Sequence, residues 1–319
     1  MALTTVRSTA DVRSAERKTV KPRRRSGGSP AHRHDGRLAL ALLLPAAIGF
    51  AVFAVYPTLR GLYLSFTEFH VLSPARWVGL ANFRELLHDD TFWSSLRVTV
   101  YFVVLSVFVG IAISLLTAVI LHRLTTSTLI RALVILPFLI SGIVAGLVWR
   151  WMLDPELGIV NIALHGITGH RIMFFGSTTW AIPSLAMVSV WKSMGYNAIL
   201  IFAGLQTIPS EIYEAGRLDG ASEFQMFRRL TLPLLRPILA MVVILTVIGS
   251  FQVFDIVQVT TKGGPANATN VLQNYIYQKA FNQLDFGYAS TMSMALFVLL
   301  LVISFLQMRM ARASESDTN

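Results

Sequence analysis

The chain has 319 residues, 54% of them hydrophobic and 14% charged, with a mean hydropathy of +0.60 and no cysteine. That balance excludes a soluble globular domain of this length and points to apolar runs of roughly 18 or more residues, the length a bilayer crossing needs; the missing cysteine excludes a disulfide frame and a thiolate metal site. The formal net charge of +10 does not point to nucleic acid, because ten of the 27 Lys and Arg fall in the first 37 residues and no aromatic-interleaved basic surface accompanies them.

Residues 1–36 are polar and basic, with KPRRRSGGSP at 21–30 and no apolar period, which reads as a disordered tail that helps fix topology. The run LALALLLPAAIGFAVFAVYP at 38–57 exceeds the roughly 7–15 residues of a secretory signal's apolar core, so it reads as a first span near 38–58. Residues 66–93 hold the turn formers Ser73, Pro74 and Gly79 and read as a loop with one short amphipathic helix. Span two is expected at 98–121 and span three at 132–149, followed by a loop over 150–178. Span four is expected near 179–204, span five near 234–259 and span six near 288–308, with a KGGPANATN loop at 262–270 between the last two. Pro45 and Pro137 are read as kinks, and Trp149 and Trp151 as an outer interfacial belt. Gly49, Gly110, Gly142 and Gly146 are read as packing notches. The seven His are scattered without metal-ligand spacing. The expected class is an all-α integral membrane protein with six transmembrane helices. Its membrane domain covers 37–310, between a basic tail at 1–36 and a polar tail at 311–319, with a long polar loop at 205–233.

Orientation follows from the basic residues. The segments 1–37, 122–131, 205–236 and 309–319 carry eighteen Lys and Arg, against eight in the loops on the other side. The first set is expected to be cytoplasmic, and both termini with it.

The polar loop contains EIYEAGRLDGASEFQMFRRLTLPLLRP at 211–237. Ser210 suits an N-cap, with Glu211 and Glu214 in the first turn, where acids favour the helix dipole. Asp219-Gly220 interrupts the helix, since glycine takes the left-handed conformation that ends one. Ser222 and Gln225 have the spacing of a capping box and start a second helix. Phe224, Phe227 and Leu230 recur on one face, and Pro233 is placed at the start of the next span. The loop therefore reads as a helix–turn–helix whose narrow apolar stripe is covered either by a partner or by lipid headgroups.

Two charges lie inside expected spans, where each costs about 2.5–3.5 kcal/mol on insertion scales. Lys192 sits in span four and Asp255 towards the end of span five. They line a translocation path, where an ion pair could be perturbed by solute, or they form a static pair between packed helices. Ser189, Lys192, Ser193 and Tyr196 share one helical face. Thr246, Ser250 and Val253 share another, with Gln252 and Asp255 nearby. Hydroxyl, amide and aromatic groups are what sugar hydroxyls and ring faces need.

Glu214-Ala215-Gly216, three residues, Gly220, nine residues, Leu230, one residue, then Leu232-Pro233 resembles the E-A-A-x-x-x-G-x(9)-I-x-L-P signature of membrane subunits of bacterial binding-protein-dependent ABC importers. Gly216 stands for the second Ala and Leu230 for Ile. RALVILPFLISGIVAGLVWRWMLDPELGIVN (131–161), WKSMGYNAILIFAGLQTIPSEIYEAGRLDGAS (191–222), FQVFDIVQVTTKGGPANAT (251–269) and DFGYAS (285–290) resemble the carbohydrate branch, of maltose and glycerol-3-phosphate type, so the likeness covers roughly 38–310.

That resemblance implies a coupling helix that docks on a separate cytoplasmic ATPase dimer, through Glu214, Ala215, Gly216, Asp219, Gly220, Phe224, Phe227, Leu232 and Pro233. ATP and Mg would be held by the ATPase, with no cofactor in this chain. It also implies a sister permease in a heterodimer, an extracytoplasmic solute-binding protein, a sugar or sugar-phosphate substrate, and a place in the bacterial inner or plasma membrane. Phe138, Gly142, Ser189, Lys192, Ser193, Thr246, Ser250 and Val253 match sugar-contacting positions of the maltose-type permease; several differ in type, so a different ligand is expected. No P-loop, H-E-x-x-H, G-x-S-x-G or dinucleotide fingerprint is present, so no enzyme activity is expected. An ion-coupled secondary transporter with a regulatory loop is the remaining alternative.

Overall fold

The computed structural model describes residues 42–71, 73–124 and 127–316, with side chains as far as 311. The tail expected at 1–36 lies outside the described residues. In chain order the helices are α1 (Leu42–Leu64), α2 (Ala81–His88), α3 (Asp90–Leu124), α4 (Thr128–Leu139), α5 (Gly142–Met152), α6 (Ile159–Thr168) and α7 (Ala181–Leu205), followed by α8 (Ser210–Leu218) and α9 (Glu223–Met226). The last four are α10 (Arg236–Phe251), α11 (Asp255–Thr260), α12 (Leu272–Tyr277) and α13 (Phe286–Ser316). A two-stranded antiparallel hairpin, β1 (Thr67–Glu68) and β2 (Arg76–Trp77), lies between α1 and α2.

Among the described residues, five helical runs are long and apolar enough to cross a bilayer, and the bent pair α4–α5, taken as one span, makes a sixth. Three features depart from the expected elements. Span three is not continuous, because α4 and α5 meet at 93°. The bend falls at Ile140–Ser141, which are extended, and not at Pro137 itself, which stays inside α4. Span five is interrupted at 252–254, so α11 starts afresh at Asp255. Short helices α6 and α12 and the hairpin occupy stretches read as loop.

The bundle is organised around α7, half of whose span is buried, against 28% or less of the other continuous spans. Its main neighbour is α3. The buried face of α3 carries Ser95, Thr99, Ser106, Gly110, Ser114 and Ala118, small residues mostly four apart that let two helices approach closely. On the other side of α7, a Cβ built at Gly195 would lie 1.9 Å from the Val134 carbonyl oxygen of α4. Only a residue without a side chain fits there. Three apolar clusters follow from this arrangement. One joins the start of α3 to α10, α12 and α13; a second joins α3, α7 and α11; the third joins the far ends of α3 and α7 to the start of α10. Trp149, expected in an interfacial belt, instead packs against the second cluster and meets the Trp191 ring edge-on at 5.5 Å, while Trp151 remains exposed.

At the start of α3, Asp89 joins distant elements. Its Oδ2 accepts from Tyr275 Oη at 2.8 Å and Tyr288 Oη at 2.7 Å, and its Oδ1 accepts from the Thr91 and Phe92 amides. Burial pushes its carboxyl up, but these hydrogen bonds together outweigh it and hold the carboxyl below the usual aspartate value. Lys279 Nζ lies over both tyrosine rings, at 5.8 and 5.2 Å. This node ties α3 to α12 and α13 at the end of the bundle away from α8 and α9.

Candidate functional site: a mid-bundle cavity and a polar insert

The interruptions in spans three and five fall beside one another and beside α7. Between them is a cavity of about 350 Å³. Its wall includes Phe138, Gly142, Ser189, Lys192, Ser193, Tyr196, Thr246, Ser250, Gln252 and Asp255, together with Val253. The structure thus brings together in one place all the residues named as a solute pathway in the sequence.

The geometry is specific. The Phe138 and Tyr196 rings stack with centroids 4.4 Å apart and planes 12° apart. Lys192 Nζ stands 5.5 Å from the centre of the Phe138 ring. Ser193 Oγ is turned back on its own helix, donating to the Ser189 carbonyl at 2.9 Å. Thr246 Oγ1 donates to the Val242 carbonyl at 2.7 Å and accepts from Asn197 Nδ2 at 3.2 Å. Ser250 is only 6% exposed, and its side chain faces the same cavity.

Lys192 and Asp255 do not form the ion pair considered from sequence: no nitrogen–oxygen contact within 4 Å joins them. The break before α11 gives the reason. Asp255 is not in mid-helix but in the first turn of α11, where a carboxylate meets free amides and the positive end of the dipole. It also lies on the start of α5, since a Cβ at Gly142 would be 3.0 Å from both its Cβ and Oδ2. Gly142 is therefore a notch for Asp255 as well as part of the cavity wall. Asn197, which the sequence reading passed over, adds a buried amide to the cavity. It continues the α7 face of Ser189 and Ser193 at the same four-residue step, a signal that was there to find.

The second region is the insert between α7 and α10. Helix α8 ends in a double hydrogen-bonded turn. The Ala221 amide donates to the Gly216 carbonyl and the Gly220 amide to the Arg217 carbonyl, both at 3.0 Å, with Gly220 at φ +74°. Helix α9 opens with a complete capping box, in which Gln225 N donates to Ser222 Oγ at 3.3 Å and Ser222 N to Gln225 Oε1 at 2.9 Å. The chain then runs through a π-helical turn at Phe227–Thr231 and a last turn at Leu232–Leu234.

Three sequence expectations need correction here. Pro209 takes the N-cap position of α8, and Ser210 is its first residue and makes no capping bond. Glu211 is in the first turn, but Glu214 is one turn further on. The apolar stripe of Phe224, Phe227 and Leu230 is left partly uncovered, as its narrowness implied. The π turn breaks its period, Phe224 is 71% exposed, and the anchor is Met226, 2% exposed. Finally, Pro233 lies in the last turn of the insert, and α10 starts at Arg236 with Pro237 in its first turn.

The insert is held to the bundle and to itself by polar contacts. Glu223 pairs with Arg123 at the end of α3 at 2.7 Å, and more loosely with Arg217 at 3.8 Å. Tyr213 Oη and Thr231 Oγ1 are 3.1 Å apart, joining α8 to the π turn. Gly216 faces Met226 and Leu230, where an added Cβ would meet Leu230 Cδ1 at 3.1 Å. Glu214, Ala215, Asp219 and Gly220 remain exposed, as does Leu218, which shows 90% of its surface.

The chain matches the family model described as the binding-protein-dependent transport system inner membrane component over residues 110–316. It is 33% identical over 287 residues to the sulfoquinovosyl glycerol transport system permease protein SmoG of Agrobacterium fabrum, covering 88% of this chain and 92% of that one. It is 32% identical over 280 residues to the trehalose/maltose transport system permease protein MalF of Thermococcus litoralis, covering 87% and 95%. Among solved structures, a bacterial ABC transporter involved in the import of the acidic polysaccharide alginate superimposes with a TM-score of 0.78 at 25% identity, covering 89% of this chain and 98% of that one. A likeness of this extent leaves no ground for an ion-coupled carrier. The chain belongs to the family of inner membrane components of binding-protein-dependent transport systems, and is a multi-pass permease of an ABC importer.

Proposed function

We propose that this permease passes a sugar or sugar-derived solute through the cavity at the breaks of spans three and five, and that the insert at 211–233 transmits the work of a separate ATPase. The observation that carries the first part is the cavity wall: a stacked aromatic pair, a cation, a carboxylate and several hydroxyl and amide groups around about 350 Å³. A sugar ring offers an apolar face to such a pair and a rim of hydroxyls to the polar groups. The relatives named for sulfoquinovosyl glycerol, trehalose/maltose and alginate support a carbohydrate class.

In this reading the basic side, with the insert and both chain ends, is cytoplasmic. The ATPase dimer holds ATP and Mg and receives the exposed surface of Leu218, Phe224 and Phe227, with Glu214 beside it. This chain contributes no cofactor. The solute arrives on the opposite face from a binding protein, and a sister permease closes the pathway as a heterodimer. The experiment is Gly220→Val in the assembled transporter. A β-branched residue at φ +74° is strained by at least about 1–2 kcal/mol, so the turn should shift. The expected result is retained co-purification of the ATPase with ATP-driven uptake reduced tenfold or more. Full uptake with normal assembly removes the coupling role.

A further inference from the structure

We infer that the cavity selects an anionic carbohydrate, one bearing a single carboxylate, phosphate or sulfonate, and that Lys192 is the residue that selects it; this rests on the cavity being the solute's path.

Two charged side chains line the cavity, Lys192 and Asp255. Their charges are not matched to each other. Asp255 stands in the first turn of α11, where the helix dipole favours a carboxylate, beside Gly142 at the start of α5. Lys192 has no such match. It makes no ion pair and no hydrogen bond among the described residues, and its ammonium stands over the Phe138 ring face. A cation–π contact of this kind is worth about 0.5–2 kcal/mol and leaves the ammonium hydrogens without acceptors. Ser250 adds a hydroxyl on the same wall.

A neutral sugar would leave the ammonium uncompensated at membrane depth, where an unpaired charge is costly. An anionic oxygen group beside Lys192 supplies the missing acceptor and forms charge-assisted hydrogen bonds, about twice as strong as neutral ones. The ring of the same solute then lies within reach of the Phe138–Tyr196 stack, and its hydroxyls within reach of Asp255. One negative charge fits; a cationic or uncharged solute leaves Lys192 bare.

Glucose and glucuronate differ at a single carbon and make a matched pair of probes. Because the chain has no cysteine, Leu245→Cys on the cavity wall gives a unique thiol for maleimide labelling of the full chain in lipid nanodiscs. At matched ionic strength, glucuronate should slow labelling at a concentration at least about tenfold lower than glucose. Lys192→Gln should remove that difference, each variant's protection being read relative to its own labelling rate without sugar. Equal protection by the two sugars, better protection by glucose, or a glucuronate preference that survives Lys192→Gln overturns the role of Lys192 while leaving the cavity as the path. Protection by neither sugar at any concentration overturns the path itself and this inference with it.

Discussion

The insert and the cavity are built in opposite ways. The insert takes its shape from bonds between near neighbours: the turn closing α8 and the capping box opening α9 both fall within residues 215–225. The cavity gathers Phe138, Lys192 and Asp255 from three separate spans, and its walls stand where they do because helices approach one another closely far along the chain. A locally defined piece can be damaged without disturbing the bundle, whereas the cavity and the bundle share the same contacts. Substitutions should therefore separate into two kinds, global for the cavity's supports and local for the insert.

The largest effect is expected at Gly195, which supports the cavity without lining it. A side chain there would collide with the α4 backbone at Val134, and a backbone carbonyl cannot rotate away as a side chain can. Gly195→Val should therefore push α4 off α7 just before the α4–α5 bend, at a cost of about 1–3 kcal/mol or more from overpacking. Size-exclusion chromatography of the detergent-solubilised variant should show loss of the monodisperse peak. A monodisperse variant with an unchanged melting temperature would mean that α4 and α7 do not meet at this point.

Met226→Ala should act in the other way. Met226 is the one fully buried apolar side chain between residues 210 and 234, and truncations of this type cost about 2–5 kcal/mol where the cavity left behind does not collapse. The insert can collapse, because Leu230 is beside it, so the loss should sit near the lower bound. Hydrogen exchange should rise across 210–234 and stay unchanged in α3 and α7. Faster exchange throughout the bundle would show that the two regions are coupled more tightly than their contacts suggest.

The same difference in construction explains what could be read from sequence. The capping box at Ser222–Gln225 and the turn at Gly220 were legible because each is specified by residues adjacent in the chain. Six crossings were legible from apolar length alone. The break in span five was not. It falls at Gln252–Phe254, with no proline or glycine in it, and α11 restarts at Asp255 beside Gly142, a residue more than a hundred positions away in the chain. The break in span three had a partial signal in Pro137, but the bend lies beyond it, at Ile140–Ser141. Helices α6 and α12 have ten and six residues, too few for a periodic pattern to stand out from loop. The anchoring role of Met226 was not legible, because a π turn shifts the period after it and such a turn leaves no mark on composition. The solute-pathway residues were named from helical faces and family likeness, and their meeting in one place follows from the breaks.

The smallest expected effect tests the insert at Gly216, where the family signature has alanine. Glycine inside a helix costs about 1 kcal/mol relative to alanine, so by propensity alone Gly216→Ala should tighten α8 by that amount. The contact with α9 opposes it, since the new methyl would meet Leu230 Cδ1 at 3.1 Å, tighter than ordinary van der Waals contact. Unlike the Val134 carbonyl, that atom is the end of a flexible, half-exposed side chain and can move a few tenths of an ångström at little cost. The net result should be a gain of less than about 1 kcal/mol, read as slower hydrogen exchange in α8 alone, with ATP-driven uptake unchanged. Faster exchange in α8 would mean that Leu230 is fixed in place, and that glycine at 216 is a packing requirement of the π turn and not a tolerated departure from the signature.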